Sequence, residues 1–122
     1  MTIFALMITL KNNTKSASKI GFLVASDTQD SAGFVYVSLD STKAIGVVTE
    51  SVGYREPCKI ATIGDTTKVY VSGQIARGAV IRSLKQNDRA STGSCVPVRS
   101  TDTSYLRIGE ALQAGSGLIP CI

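Results

Sequence analysis

KVYVSGQIARG, at residues 68–78, is one of several short apolar segments that glycine interrupts between Lys43 and the end of the chain. The others are KAIGVVTE (43–50), CKIATIG (58–64), YLRIGEAL (105–112) and GLIPCI (117–122). Apolar runs of about five or six residues, rich in Val and Ile and bounded by turn residues, are typical of β-strands. The pattern predicts an all-β domain, either a small compact β-barrel or a β-sandwich.

The same pattern extends toward the N-terminus as far as Ile20. IGFLVAS (20–26) and FVYVSL (34–39) are two further predicted strands, with the polar turn DTQDSAG (27–33) between them. The interval 83–94 (SLKQNDRASTGS) is the longest polar stretch of this region and predicts an exposed loop. Residues 20–122 are therefore predicted to form one domain, as expected for a chain of this length.

The first 19 residues predict an extended N-terminal arm. MTIFALMITL (1–10) is apolar and β-prone, but it is too short to span a bilayer and no basic residue precedes it as in a signal peptide. KNNTKSASK (11–19) is polar and cationic, which is typical of a flexible linker. We expect strand addition to a neighbouring subunit. The predicted contact residues are Ile3, Phe4, Leu6, Ile8, Lys11 and Lys15.

The composition argues against an enzyme. The chain has no histidine, the commonest general base near neutral pH, so histidine-dependent triads are excluded. Cys58, Cys95 and Cys121 are too far apart in sequence for a zinc or redox pair, and they predict three unpaired, buried thiols in a reducing compartment. We expect no cofactor, no metal and no small-molecule substrate.

Several polar clusters have to be weighed as possible sites. Asp27, Asp30 and Ser31 lack the ligand spacing of a calcium loop and indicate a solvated turn. Glu50 and Glu56 are read as hydrated carboxylates at strand ends rather than a paired acid and base. The net charge of +4 leaves nucleic-acid binding as an alternative. It would use Arg77, Arg82, Lys85 and Arg89 with Tyr70 and Tyr105 as stacking partners, although Asp88 weakens it.

The order of the segments carries a family resemblance. KAIGVVTE, then KVYVSGQIARG, then IGEAL (108–112) and the closing GLIPCI resemble the small capsid decoration proteins of tailed bacteriophages. The resemblance covers roughly residues 20–122 and implies a β-tulip-like, non-enzymatic virion protein. Such a protein binds the outside of an assembled capsid, made in the host cytoplasm, and clamps subunits of the major capsid protein, commonly as a trimer. A single-stranded nucleic-acid-binding barrel and a fibre-anchoring adaptor remain the alternatives; no membrane contact is expected.

Overall fold

The computed structural model describes residues 7–37, 44–62, 67–84, 88, 92–99, 102 and 107–122. They form ten strands: β1 (Met7–Asn12), β2 (Leu23–Asp27), β3 (Asp30–Tyr36), β4 (Gly46–Val48), β5 (Pro57–Thr62), β6 (Thr67–Ile75), β7 (Val80–Ser83), β8 (Cys95–Pro97), β9 (Arg107–Glu110) and β10 (Gly115–Cys121). The all-β prediction is confirmed.

The first five strands close into a barrel. Their order is β1-β3-β2-β4-β5, and β5 returns to pair with β1. The β1–β5 pair is antiparallel, from Met7 opposite Ala61 to Lys11 opposite Pro57. The β1–β3 pair is parallel and involves only Lys11 and Asn12 of β1. The N-terminal strand is therefore what joins the two ends of the sheet.

The last five strands form a second sheet in the order β10-β6-β8-β7-β9. Its outer strands also approach each other, because the Glu110 amide donates to the Ile122 carbonyl at 2.9 Å and the Leu112 amide donates to the Pro120 carbonyl at 2.8 Å. Most strand edges of this half are thereby covered, as soluble β proteins require.

Alternation along β2 explains how the two halves pack. Successive side chains of a strand point to opposite faces. Val24 therefore faces the barrel interior, whereas Leu23 and Ala25 face outward and pack against the second sheet. The interior cluster consists of Val24, Phe34, Val48, Cys58 and Ile60. The shared cluster includes Leu23, Ala25, Val37, Val47, Val69, Val71, Ile75, Ile81, Cys95, Ile119 and Cys121. The three cysteines are free and buried, as predicted.

Gly93 connects the two halves through its main chain. Its amide donates to the Val37 carbonyl at 3.0 Å, and its carbonyl accepts from the Leu23 amide at 2.7 Å. Its φ of +92° lies in the left-handed region, and a Cβ there would come within 2.9 Å of the Phe22 ring. Glycine is needed at this position for both reasons.

The predicted arm is corrected over residues 7–19. β1 is a strand of the closed barrel, and Asn12 and Ser18, which fall in the predicted linker, are 0% and 2% exposed. The polar composition of this stretch predicts a flexible linker, but the Asn12 and Ser18 side chains bond to main-chain groups some 30 to 40 residues away in sequence. Ile3, Phe4 and Leu6 lie outside the described residues.

The predicted exposed loop over 83–94 is also wrong for most of the part that is described, because Ser83, Leu84, Asp88 and Ser94 are buried, whereas Thr92 is exposed. The reason is Arg82, which is 1% exposed. Its Nη1 lies 2.6 Å from Asp88 Oδ2 and its Nε lies 2.7 Å from Asp102 Oδ2. A buried guanidinium needs such partners, and they draw the polar loop inward.

The predicted nucleic-acid groove thereby loses one of its cations, since Arg82 is enclosed by two carboxylates. Arg77 is exposed in the turn between β6 and β7, while Lys85, Arg89 and Tyr105 lie outside the described residues.

Candidate partner-binding surfaces

A cleft of about 480 Å³ opens where the end of β1 meets two loops of the first barrel. The loops are the β2–β3 turn and the segment that precedes β5, and pairing of β1 with both β3 and β5 brings them together. The lining residues are Lys11, Asn13, Lys15, Asp27, Gln29, Asp30, Val35, Tyr54 and Arg55. The cleft thus contains three cations and two carboxylates.

The two carboxylates are engaged within the protein. Asn13 Nδ2 donates to Asp27 Oδ2 at 2.9 Å and to Asp30 Oδ2 at 3.0 Å. Lys11 Nζ lies 2.8 Å from Asp30 Oδ2. The bond from Lys11, then that from Asn13, lowers the pKa of Asp30 to about 2. Donors of this chain are therefore directed at both carboxylates of the β2–β3 turn.

Lys15 and Arg55 differ from Lys11 because neither forms an ion pair within the part of the chain that the structure describes. The guanidinium carbon of Arg55 lies 5.0 Å from the centroid of the Tyr54 ring, a cation–π contact that orients it. Lys15 has φ 70° and Arg55 has φ 69°. Residues other than glycine seldom adopt the left-handed region, and such strain concentrates at functional sites.

The buried Asn12 side chain joins the loop after β1, which carries Lys15, to the loop before β5, which carries Arg55. Its Nδ2 donates to the carbonyls of Ser16 at 2.8 Å, Val52 at 3.1 Å and Gly53 at 3.1 Å. Its Oδ1 accepts from Thr14 N at 2.9 Å and from Thr14 Oγ1 at 2.6 Å. One amide group therefore ties the Lys15 loop to the loop that carries Arg55.

Main-chain bonds complete this connection. The Arg55 amide donates to the Asn12 carbonyl at 2.6 Å, and the Asn12 amide donates to the Glu56 carbonyl at 2.9 Å. Ser18 contributes a reciprocal pair, in which its amide donates to the Val52 carbonyl and its hydroxyl accepts from the Val52 amide, both at 2.8 Å. The positions of Lys15 and Arg55 are thus fixed by a network of short bonds.

Of the predicted contact residues that the structure describes, Lys11 and Lys15 meet in the cleft, whereas Ile8 does not line it. Ile8 is 36% exposed and Met7 is 47% exposed at the beginning of β1. Sequence reasoning did not single out Asn12, Tyr54 or Arg55. The Asn-Asn-Thr run at 12–14 is a turn signal that could have drawn attention to Asn12, but nothing local marks Arg55.

A second surface lies on the outer face of the second sheet. Leu118 of β10 is paired with Tyr70 of β6, and the Leu112 amide donates to the Pro120 carbonyl. Leu112, Leu118 and Ile122 are 41%, 43% and 55% exposed. This apolar face consists of Tyr70, Leu112, Leu118, Pro120 and Ile122. Contiguous apolar surface of this kind is typical of protein–protein contacts.

Gly21 of the first half contacts the edge of the apolar face. Its carbonyl accepts from the Tyr70 amide at 2.8 Å. A Cβ at Gly21 would overlap the Leu118 side chain, and the φ of +87° again favours glycine. The neighbouring Ile20, 42% exposed, extends the apolar surface onto the first half.

No protein-family model matches the chain, and a search of curated proteins finds no significant match. Across the described residues, no group of three or more His, Cys, Asp or Glu side chains is placed to hold a metal ion. The described part of the chain also includes no helix with the length and hydropathy needed to cross a membrane.

Proposed function

We propose that this chain is a non-enzymatic structural protein that attaches to the outer surface of an assembled phage capsid and stabilises it by contacting neighbouring major capsid protein subunits. The resemblance of its segments to capsid decoration proteins motivates the proposal. The observation that carries it is the exposed start of β1. The cleft that follows it along the chain contains two cations with no carboxylate partner among the described residues.

The pairing of β1 leaves room for a partner strand. From Met7 to Leu10 the strand pairs with β5, but β3 is paired only with Lys11 and Asn12. Within the described residues, the other edge of Met7–Leu10 has no strand beside it. An extended segment of a capsid subunit can add there through main-chain hydrogen bonds, while Met7 and Ile8 supply apolar contact. The proposal therefore keeps strand addition but reverses its direction. A strand of the partner adds to β1, whereas the sequence predicted that a free arm of this chain adds to the partner.

The apolar face is the proposed contact between copies of this chain. Tyr70, Leu112, Leu118 and Ile122 form a mainly apolar surface, and Lys68, which is paired with Pro120, lies beside it. An apolar core with a polar rim is typical of a homo-oligomeric contact. A trimer is the state that the family resemblance implies. Repetition by symmetry would then strengthen attachment to a shell through multivalency.

Co-sedimentation with capsids tests the proposal. The purified protein should pellet with shells assembled from the major capsid protein and stay in the supernatant without them. Ile8→Asp should reduce the pelleted fraction, because a charge at the open edge opposes apolar contact and strand addition. Ala76→Asp, an exposed change between β6 and β7 that adds the same charge, is the matched control and should pellet as the original protein does. A protein that stays in the supernatant with and without shells would refute the capsid role.

A further inference from the structure

We propose that the cleft binds a carboxylate side chain of the protein partner, held between Lys15 and Arg55. This inference deepens the proposed function and rests on it for the identity of the partner as a capsid subunit. The cleft alone supplies the chemistry, which is that of an acidic peptide segment.

The receptor groups are Lys15 and Arg55, the cations of the cleft that form no ion pair among the described residues. A guanidinium presents a planar fork of donors that matches a carboxylate, and an ammonium adds a point charge with three donors. The Tyr54 ring under the Arg55 guanidinium, at 5.0 Å, restricts the orientation of that fork. Lys11 is not available in the same way, because its ammonium is bound to Asp30 at 2.8 Å.

The acidic wall of the cleft favours a peptide over a nucleic acid. Asp27 and Asp30 line the same 480 Å³ space as Lys15 and Arg55. Their charges repel a phosphate backbone, which has no N–H donors of its own to offset that repulsion. A peptide can place a side-chain carboxylate at the cations, and its main-chain amides can donate to the remaining lone pairs of Asp27 or Asp30.

The cations are held in place before a ligand arrives. Lys15 and Arg55 both have left-handed main-chain conformations, and the Asn12 side chain fixes their loops through five short bonds. Ordering of loops on binding costs affinity, so a cleft whose loops are already bonded retains more of the interaction energy. Asn12 is accordingly a positioning residue for this site.

Binding of blocked hexaglutamate to the full chain tests the inference, with shifts of backbone amide NMR signals as the readout. Blocked hexaglutamine, which has the same length without charge, is the control ligand. We expect hexaglutamate to shift signals around the cleft and hexaglutamine to leave them unchanged. Binding should weaken as salt is added, because the contact is between exposed charges.

Two variants test whether Lys15 and Arg55 bind the carboxylate of the ligand. Lys15→Asn and Arg55→Asn each remove a cation, and asparagine tolerates the left-handed conformation of these positions better than most residues do. Each should weaken hexaglutamate binding by about 2- to 5-fold, the range for one exposed ion pair. Arg77→Asn removes an exposed cation of the second half and should leave the affinity unchanged.

Three outcomes would overturn the inference: equal binding of the two peptides, an equal loss in Arg77→Asn, or tighter binding of a hexathymidine oligonucleotide than of hexaglutamate. The last would favour the nucleic-acid alternative. The two proposals fail separately. If hexaglutamate does not bind but the protein pellets with shells, the carboxylate site is wrong and the capsid role stands. If hexaglutamate binds at the cleft but the protein does not pellet, the site stands and the capsid role is wrong.

Discussion

Replacement of Asn12 by alanine should destabilise the protein more than any other exchange in the segment from 11 to 19. The side chain is fully buried, and its two amide protons serve three carbonyls while its oxygen accepts two bonds. Counting two donated and two accepted bonds at about 0.5–1.5 kcal/mol each gives a total of about 2–6 kcal/mol.

Water can reach some of the groups that Asn12→Ala leaves without a partner, because the bonds are only partly buried. We therefore expect a loss of about 2–4 kcal/mol in the free energy of unfolding, the lower part of that range. Typical domains have about 5–15 kcal/mol in total, so the variant should fold but melt clearly earlier. Its affinity for hexaglutamate should also fall, since the Lys15 and Arg55 loops would no longer be joined by this side chain.

The assay is urea unfolding followed by circular dichroism, with Asn13→Ala as the matched neighbour. The Asn13 side chain donates to the carboxylates of Asp27 and Asp30 in the open cleft, where water can replace it, so its loss should be smaller, about 1 kcal/mol. Equal effects of the two exchanges would refute the assignment of Asn12 as the group that ties the loops together. A loss below about 1 kcal/mol for Asn12→Ala would refute it too.

Three further predictions concern other parts of the structure. Deletion of residues 1–12 should unfold the protein, because it removes the strand that closes the first barrel, whereas deletion of 1–6 keeps β1 whole and should leave a protein that still unfolds cooperatively. Arg82→Met should cost about 3–5 kcal/mol in urea unfolding, since it leaves two largely buried carboxylates without their shared cation; a loss below about 1 kcal/mol would contradict this. The NMR signal of the Asp30 carboxyl carbon should have a titration midpoint near pH 2. The stabilising effect of the ionised carboxylate should be present above about pH 4 and be lost as the pH falls toward 2. Lys11→Gln should raise that midpoint toward 4, and an unchanged midpoint would contradict the ion pair.

The sequence predicted the strands well because their signals are local. Val and Ile runs such as KVYV and the glycines between them report on a few neighbouring residues at a time, and β6 and β10 lie where those runs predicted strands. A barrel or sandwich follows once many short strands must hide their edges.

The errors have a common physical cause, since the partners that bury each polar side chain are brought to it by the fold and are not marked by the local sequence. KNNTKSASK has a linker's composition, yet Asn12 bonds to carbonyls about 40 residues later. Arg82 occupies a strand position that sequence reasoning assigned to a basic groove, and only the positions of Asp88 and Asp102 in space explain its burial. Arg55 could not be predicted as part of the candidate site for the same reason, because only the fold brings its loop beside Lys15.

The pairing of β1 with β5 has a consequence for synthesis of the chain. Met7–Asn12 leaves the ribosome first, but the strand that completes its hydrogen bonds, Pro57–Thr62, follows about fifty residues later. At roughly 5–20 residues per second, the apolar first strand waits about 3–10 s without that partner. The first barrel can then close before β6 has emerged from the ribosome, so a nascent chain stalled with its residues up to 62 outside the exit tunnel should already protect its β1 amides from hydrogen exchange.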